Sequence, residues 1–282
     1  MPELPEVETI VRQLRRPLIG RTFSYSWTDW PRQIVTPDPA GFNQRLANQT
    51  ITAIERRAKY LLFSLSEGDT LLIHLKMSGQ LAVVPAGEPR NKHTHVIFGF
   101  TDGDQLRFTD TRKFGRVYLV KEPADILGQL GPEPLHLSFT ADLLQTLLAK
   151  RQRTLKPLLL DQTFIAGIGN IYADEALFYA GLHPGRNTAT LTPAEITRLH
   201  AAIQKALTLG IDHQGATISM YRQPDGRKGQ MQNEFVVYDR RNQPCKQCQT
   251  PIQQLILGGR TTHFCPQCQA RVKSEELKTH NS

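Results

Sequence analysis

Apolar residues open the chain at helical spacing: Leu4, Val7, Ile10, Val11, Leu14 and Leu18 fall on one face, and Gly20 marks the end of the predicted helix. The period then changes. Short runs rich in β-branched and aromatic residues lie near 50–54, 60–65, 70–75, 80–84, 95–100, 105–109 and 116–120. Ser66-Glu67-Gly68-Asp69 and Asp102-Gly103-Asp104 read as hairpin turns between neighbouring strands. Many short antiparallel strands without helices between them predict a sandwich or a barrel. From about residue 123 helical periodicity returns, over 141–149, 168–180 and 193–209, with Thr192 as N-cap ahead of Pro193 and Glu195. Residues 210–229 are polar and glycine-rich and predict a long mobile loop, a feature more often functional than accidental inside a compact protein. A frayed tail is expected over 274–282.

Composition adds class rather than fold. The 282 residues are 39% hydrophobic and 21% charged, enough apolar surface to bury real cores, at a length that suits two or three domains. No apolar run approaches a membrane span, and the N-terminus lacks the basic and apolar regions of a signal peptide, so a cytoplasmic protein without membrane partners is expected. The net charge of +8 is unevenly placed: residues 1–149 hold 17 basic against 16 acidic residues, residues 150–282 hold 17 against 10. Such asymmetry points to a polyanionic partner, nucleic acid being the commonest, although a soluble enzyme that is merely basic has the same balance. Lys150, Arg151, Lys156, Arg227 and Lys228 read as solvated charges or nonspecific phosphate contacts.

The four cysteines carry more information. Cys245, Cys248, Cys265 and Cys268 form two C-x2-C knuckles separated by 16 residues, the spacing of a tetrahedral zinc site. No cysteine is left over, and iron–sulfur ligation or a redox pair is the rarer alternative. Between the knuckles the sequence reads strand, Gly258-Gly259 turn, strand: a zinc ribbon whose one structural Zn2+ has no open position for chemistry.

The first residues, Met1-Pro2-Glu3-Leu4-Pro5-Glu6, admit two readings. Removal of Met1 before the small Pro2 would expose a secondary amine able to attack a sugar carbon, with Glu3 and Glu6 beside it for proton transfer. The same residues also suit an ordinary helix start, with proline and acids in the first turn. Several motifs in order lift the first reading: PELPEVET at the start, RRAKYL at 56–61, HLKMSG at 74–79, TDTRKFGR at 109–116, GPEP at 131–134, AGIGNIYADEAL at 166–177 and GGRTTHFC at 258–265. With them the chain resembles the bacterial formamidopyrimidine-DNA glycosylases over nearly its whole length.

That resemblance implies an α+β multidomain protein: an N-terminal antiparallel β-sandwich flanked by helices (1–130), a helix–two-turns–helix DNA-binding domain with a damage-recognition loop (131–230) and a C-terminal zinc ribbon (231–275). It implies a monomeric glycosylase and AP lyase acting on duplex DNA that contains an oxidised purine or an abasic site. Pro2 is then the nucleophile that forms a Schiff base, Glu3 the acid that protonates the opening sugar ring, and Glu6 a supporting carboxylate. Lys59 matches the lysine associated with the flipped nucleotide and β-elimination, and Arg260 the arginine linked to phosphate binding and δ-elimination. Met77, Arg112 and Phe114 match the three residues that fill the gap left by the extruded base, and His93, Arg153 and Asn170 match DNA contacts. Residues 217–229 align with the family loop that closes over 8-oxoguanine, and within it the resemblance suggests Thr217 to Tyr221 as base contacts.

Physical reasoning gives these roles content. Extruding a base from a duplex costs a few kcal/mol, which an apolar wedge with an arginine can offset by restacking the gap and bonding the orphaned base. Met77 and Phe114 would otherwise be read as core residues. Gly167 and Gly169 allow close backbone approach where a helix from Asn170 offers free N–H groups to phosphate, as a plain helix start also would. His93 and His95 share a strand face, as a metal pair, a phosphate contact or a structural pair. Two rival functions remain in view: the endonuclease VIII branch of the superfamily, and a noncatalytic DNA-binding protein.

Overall fold

The computed structural model describes residues 1–270, so the predicted tail and the end of the 231–275 segment lie outside the described residues. In chain order the elements are α1 (Leu4–Leu18), β1 (Phe23–Thr28), β2 (Ile34–Thr36), α2 (Pro39–Leu46), β3 (Ile51–Arg57), β4 (Tyr60–Leu65), β5 (Thr70–His74), β6 (Gly79–Pro85), β7 (Thr94–Phe100), β8 (Asp104–Asp110), β9 (Arg116–Val120), α3 (Ala124–Leu127), α4 (Ala141–Ala149), α5 (Leu155–Leu159), α6 (Asn170–Ala180), α7 (Pro193–Asp212), β10 (Gln253–Leu257) and β11 (Arg260–Phe264). They pack as two units. One comprises Met1–Gln129 with Ile211–Gln232, the other Leu130–Gly210 with Asn233 onward.

In the first unit a four-stranded sheet, β1-β7-β8-β6, and a five-stranded sheet, β2-β9-β5-β4-β3, share one core with the apolar face of α1. Val7, Ile10, Val11, Leu14 and Leu18 of α1 belong to the same buried cluster as Phe63 and Ile73 of one sheet and Phe98 and Phe108 of the other. The seven expected strands are all present, and both predicted turns join antiparallel neighbours. Three differences concern residues 20–50. β1 is an additional strand, paired antiparallel with β7 at the edge of its sheet. The pair β2–β9 is parallel, because β2 is a three-residue edge strand between Pro31 and Pro37, too short to show an alternating pattern. α2 is an additional helix, started by Asp38, whose carboxylate accepts the N–H groups of Ala40 and Gly41, with Pro39 in the first turn.

In the second unit α4 and α7 start where expected. Thr192 and Glu195 form a reciprocal box: the Thr192 N–H donates to Glu195 Oε2 at 2.8 Å and the Glu195 N–H to Thr192 Oγ1 at 3.3 Å. Gly210 meets the Tyr172 ring so closely that a Cβ there would lie 2.4 Å from a ring carbon. β10 and β11 pair antiparallel across Gly258 (φ +54°) and Gly259 (φ +71°), the left-handed turn that two glycines permit. The segment Ile211–Gln232 packs with the first unit, whereas the sequence grouping placed it with the helices; its bonds to α1, described below, are the reason.

Leu14 is 0% exposed in the shared core. Leu14→Ala is expected to lower unfolding stability by about 2–5 kcal/mol, whereas Arg12→Ala on the solvent face should change it by less than about 0.5 kcal/mol. Urea unfolding midpoints at constant slope test the contrast.

Candidate functional site

The start of α1 is a buried acidic box. Pro2 is buried, Glu3 is 3% and Glu6 1% exposed. Glu3 is the N-cap: its side chain accepts the Glu6 N–H, and the Glu6 carboxylate accepts the Glu3 N–H at 2.7 Å. The other Glu6 oxygen accepts the N–H of Ala216 at 2.8 Å, at the root of the 213–232 loop. Gly215 (φ +79°) fits only as glycine, since a Cβ would sit 2.8 Å from Glu6 Cγ. Tyr221 stands beside it, its hydroxyl donating to the Gln214 carbonyl at 3.1 Å; burial, with the neighbouring Glu6 charge, pushes its phenol well above the usual range. Tyr221 is therefore a buried post against α1. It is 7% exposed and not the open base contact expected for it. Thr217 likewise donates from its hydroxyl to the Tyr221 carbonyl at 3.1 Å, while Ile218 and Met220 are exposed.

Lys59 occupies the two-residue turn between β3 and β4, after Ala58 in the left-handed region (φ +54°), and is 5% exposed. The sequence reading did not single out what fastens this hairpin to α1. Arg56 donates to Glu8 at 2.9 Å and to the Ala58 carbonyl at 3.1 Å. Burial works against the Glu8 charge, but the Arg12 and Arg56 bonds prevail and hold its carboxyl below the ordinary value. Both partners lie in matching motifs, so their opposite charges were the available signal.

Met77 and Phe114 are 38% and 45% exposed, so neither is a core residue. Each follows a lysine in the left-handed region, Lys76 (φ +51°) and Lys113 (φ +58°), a conformation that non-glycine residues adopt only when their surroundings impose it. The Arg112 guanidinium lies 4.6 Å from the centre of the Phe114 ring. Arg112 itself is exposed. The turn before Met77 depends on His74, whose Nδ1 accepts the Lys76 N–H at 3.0 Å. Burial, with the charges of Lys76 and Lys59, lowers His74 from 6.5 to about 3, so the ring stays neutral and keeps its acceptor. His93 is half-buried, its ring 6.4 Å from that of His95, whose Nδ1 is paired with Asp29 at 2.8 Å. Among the described residues these histidines join no larger cluster of possible ligands.

In the second unit the chemistry gathers around the ribbon hairpin. Arg260 is exposed directly after the two glycines. The carbonyl of Thr261 accepts from Asn170 Nδ2 at 2.9 Å and from Lys156 Nζ at 2.8 Å. Lys156, read from sequence as a solvated charge, is 0% exposed and paired with Asp174 at 2.7 Å, while the other Asp174 oxygen accepts the His263 N–H at 2.9 Å. Burial is affordable there because the ammonium meets three acceptors and the carboxylate is itself bonded. Glu175 accepts the N–H groups of Val236, Val237 and Tyr238 at 3.0, 3.0 and 2.9 Å, and its burial raises its pKa in spite of them. Two acids inside the apolar stretch Tyr172-Ala173 to Ala176-Leu177 were the signal for this role. Arg153 is exposed, 3.7 Å from Asp161.

The four cysteine sulfurs lie within 4.8 Å of one another, with Cys245–Cys268 at 3.9 Å and Cys248–Cys265 at 3.4 Å. Zinc–sulfur bonds of about 2.3 Å in a tetrahedron imply edges of about 3.8 Å, so the set fits one structural zinc. No other group of three or more possible ligands occurs among the described residues.

Comparison with known proteins places this geometry. The formamidopyrimidine-DNA glycosylase N-terminal domain matches residues 1–117, the H2TH domain of the same glycosylase residues 130–222, and the zinc finger found in FPG and IleRS residues 242–271. The chain belongs to the formamidopyrimidine-DNA glycosylase family. A formamidopyrimidine-DNA glycosylase of Herpetosiphon aurantiacus is 45% identical over 273 residues, covering 96% of this chain and 100% of the relative. The Lactococcus lactis glycosylase mutant G226P, in complex with DNA containing Fapy-dG, has a TM-score of 0.90 at 36% identity, covering 96% of this chain and 100% of that one. The same organism's enzyme in complex with abasic-site DNA has a TM-score of 0.89 at 36% identity, covering 95% and 100%. As in the rest of the family, three parts are present: N-terminal domain, H2TH domain and zinc finger. No helix among the described residues is long and apolar enough to cross a membrane.

Two outcomes follow. The folded chain protonates His74 only near pH 3 and the unfolded chain near 6.5, so unfolding takes up a proton between these values. This contribution to stability is complete above pH 6.5 and is lost as the pH falls towards 3. His74→Gln should flatten that limb in urea midpoints from pH 7 to 4.5; an unchanged limb assigns it to other groups. The protein should also carry one zinc per chain by elemental analysis, and Cys248→Ser should lose it while leaving the first unit's unfolding midpoint within error.

Proposed function

We propose that this chain excises oxidised purines, 8-oxoguanine and formamidopyrimidines, from duplex DNA and then nicks the strand at the resulting abasic site. The observation that carries the proposal is the buried Pro2 at the head of α1, next to Glu3 and with Glu6 bonded on both sides. Loss of Met1 turns Pro2 into a secondary amine. Its lone pair attacks C1′ of the damaged nucleotide, the C1′–N bond to the base breaks, and the base leaves with the electron pair and takes up a proton. Glu3 protonates the ring oxygen as the sugar opens, which leaves an iminium between Pro2 and C1′. Abstraction of a C2′ proton expels the 3′ phosphate by β-elimination, and δ-elimination expels the 5′ phosphate. Water then releases the sugar fragment and restores the amine.

The remaining side chains act on the substrate's position. Lys59 faces the nucleotide's phosphate and serves the β-elimination, and Arg260, held by the ribbon that zinc stabilises, binds phosphate and serves the δ-elimination. Met77, Arg112 and Phe114 replace the extruded base, the two apolar groups restacking the gap while the guanidinium bonds the orphaned partner. His93, Arg153 and Asn170 bind phosphates, which positions the duplex without reading its sequence. Relatives that bind Fapy-dG and abasic DNA support this substrate class. The chain works as a monomer on chromosomal DNA in the nucleoid.

Borohydride reduction of the protein mixed with an 8-oxoguanine:cytosine duplex should yield a covalent complex, and peptide mapping should place it on an N-terminal Pro2. A form that retains Met1 should bind DNA and trap none. Tight binding of the processed protein without a cross-link would make it a binding protein, and far higher activity on thymine glycol would move it to the pyrimidine-specific branch.

A further inference from the structure

Asp110 ends β8 and is 0% exposed. One carboxylate oxygen accepts the Ser78 hydroxyl at 2.5 Å and the Arg112 N–H at 3.2 Å. The other accepts the Gly115 N–H at 2.7 Å and the Gln33 side-chain amide at 3.1 Å. Ser78 Oγ also accepts the Arg112 N–H at 3.1 Å, so the network closes on itself. The main chain of Asp110 takes part: its N–H donates to the His93 carbonyl at 2.8 Å and its carbonyl accepts the Lys113 N–H at 3.2 Å. The charge is thus held by four neutral donors rather than by a cation.

These donors are not scattered. Ser78 follows Met77, Arg112 is a member of the wedge, and Gly115 follows Phe114. A single carboxylate therefore binds at, or directly beside, each of the three side chains that replace the extruded base. Both turns need such a clamp, because Lys76 and Lys113 are left-handed without being glycine. The two glycines next to the wedge close against one ring: a Cβ at Gly79 or Gly115 would lie 2.6 or 2.3 Å from atoms of Phe108. Gln33, 0% exposed, buttresses the carboxylate from outside the two turns.

We infer that Asp110 is a positioning residue for base replacement, whose carboxylate locks the 76–79 and 111–115 turns into one preorganised wedge. The inference rests on the assignment of Met77, Arg112 and Phe114 to the gap left by the base. A wedge assembled in advance orders no loop at the moment of extrusion, so the loss of Asp110 falls on the extrusion step and leaves the proline chemistry alone. Asparagine has the same shape, but its NH2 group would face donors on one side of the network and accept from none of them.

The test compares full-length, zinc-loaded Asp110→Asn and Ser78→Ala with the unaltered protein. Single-turnover excision from an 8-oxoguanine:cytosine duplex reads extrusion; borohydride trapping on a single-stranded abasic oligonucleotide reads the proline amine with no base to replace. Asp110→Asn should slow duplex excision by about tenfold or more and Ser78→Ala by about threefold, both with unaltered trapping. In a Phe114→Ala background Asp110→Asn should cost less than about twofold further, since the two act through one element. The inference falls if Asp110→Asn leaves duplex excision unchanged, slows trapping equally, or costs the same factor without Phe114. If Asp110→Asn does not fold, Ser78→Ala and its coupling to Phe114→Ala decide. Met77→Ala and Phe114→Ala leaving duplex excision unchanged would refute the wedge itself, and the role of Asp110 with it; a wedge that matters while Asp110 does not refutes the inference alone.

Discussion

The Glu6 carboxylate accepts one main-chain N–H from each of two segments far apart in sequence: Glu3, beside the candidate nucleophile, and Ala216, 210 residues beyond Glu6 at the root of the loop. Both bonds are buried, and a buried N–H deprived of its acceptor costs about 1–3 kcal/mol. The head of α1 and the loop are consequently one object: the peptide that carries Pro2 cannot shift without disturbing 215–216, and the loop cannot retreat without unbinding Glu6. The approach is close enough that Gly215 admits no side chain. Gln13 of α1 bonds Gln223 farther along the same loop, and Gln80 donates to the Met220 carbonyl at 2.6 Å. A stretch that composition marks as mobile is thereby anchored to the first unit at several points.

The second unit uses the same device at the ribbon. A two-stranded hairpin is marginally stable by itself. Zinc ties the cysteine knuckles, but the far end of the hairpin, where Arg260 stands, is held by α5 and α6 through Lys156, Asp174 and Asn170. Glu175, the next residue, gathers three consecutive N–H groups of the chain that leads into the ribbon. Metal and helix thus divide the work: sulfur chemistry fixes the base of the ribbon, while Lys156, itself paired with Asp174, and Asn170 hold the carbonyl next to its tip.

The proposed replacement of the extruded base draws on the same device. Replacing a stacked base inside DNA costs a few kcal/mol, and the groups that do it contribute most when their own ordering is complete beforehand. Exposed Met77 and Phe114 are held by left-handed turns, and those turns by a neutral His74 and by Asp110. The price in local strain is met by buried hydrogen bonds that no solvent competes for.

Much was legible without coordinates. Periodicity located α1, the seven strands from β3 to β9, and α4, α6 and α7, because each is long enough for its apolar face to repeat; the cysteine spacing specified its metal, since two knuckles suffice to close a tetrahedron. Motif order carried the family and with it the candidate side chains. Less visible were β1, β2 and α2, short elements without a clean repeating face, and the parallel pairing of β2 with β9, which depends on where a distant strand lies. Lys156 looked like any surface lysine until Asp174 was found against it, and Tyr221 looked like a ligand contact until its burial against α1 was seen. Local pattern is written in neighbouring residues and can be read there. Whether a charge is solvated or buried, and which N–H groups a carboxylate gathers, depends on segments tens to hundreds of residues away, and only the packed chain brings them within hydrogen-bond reach.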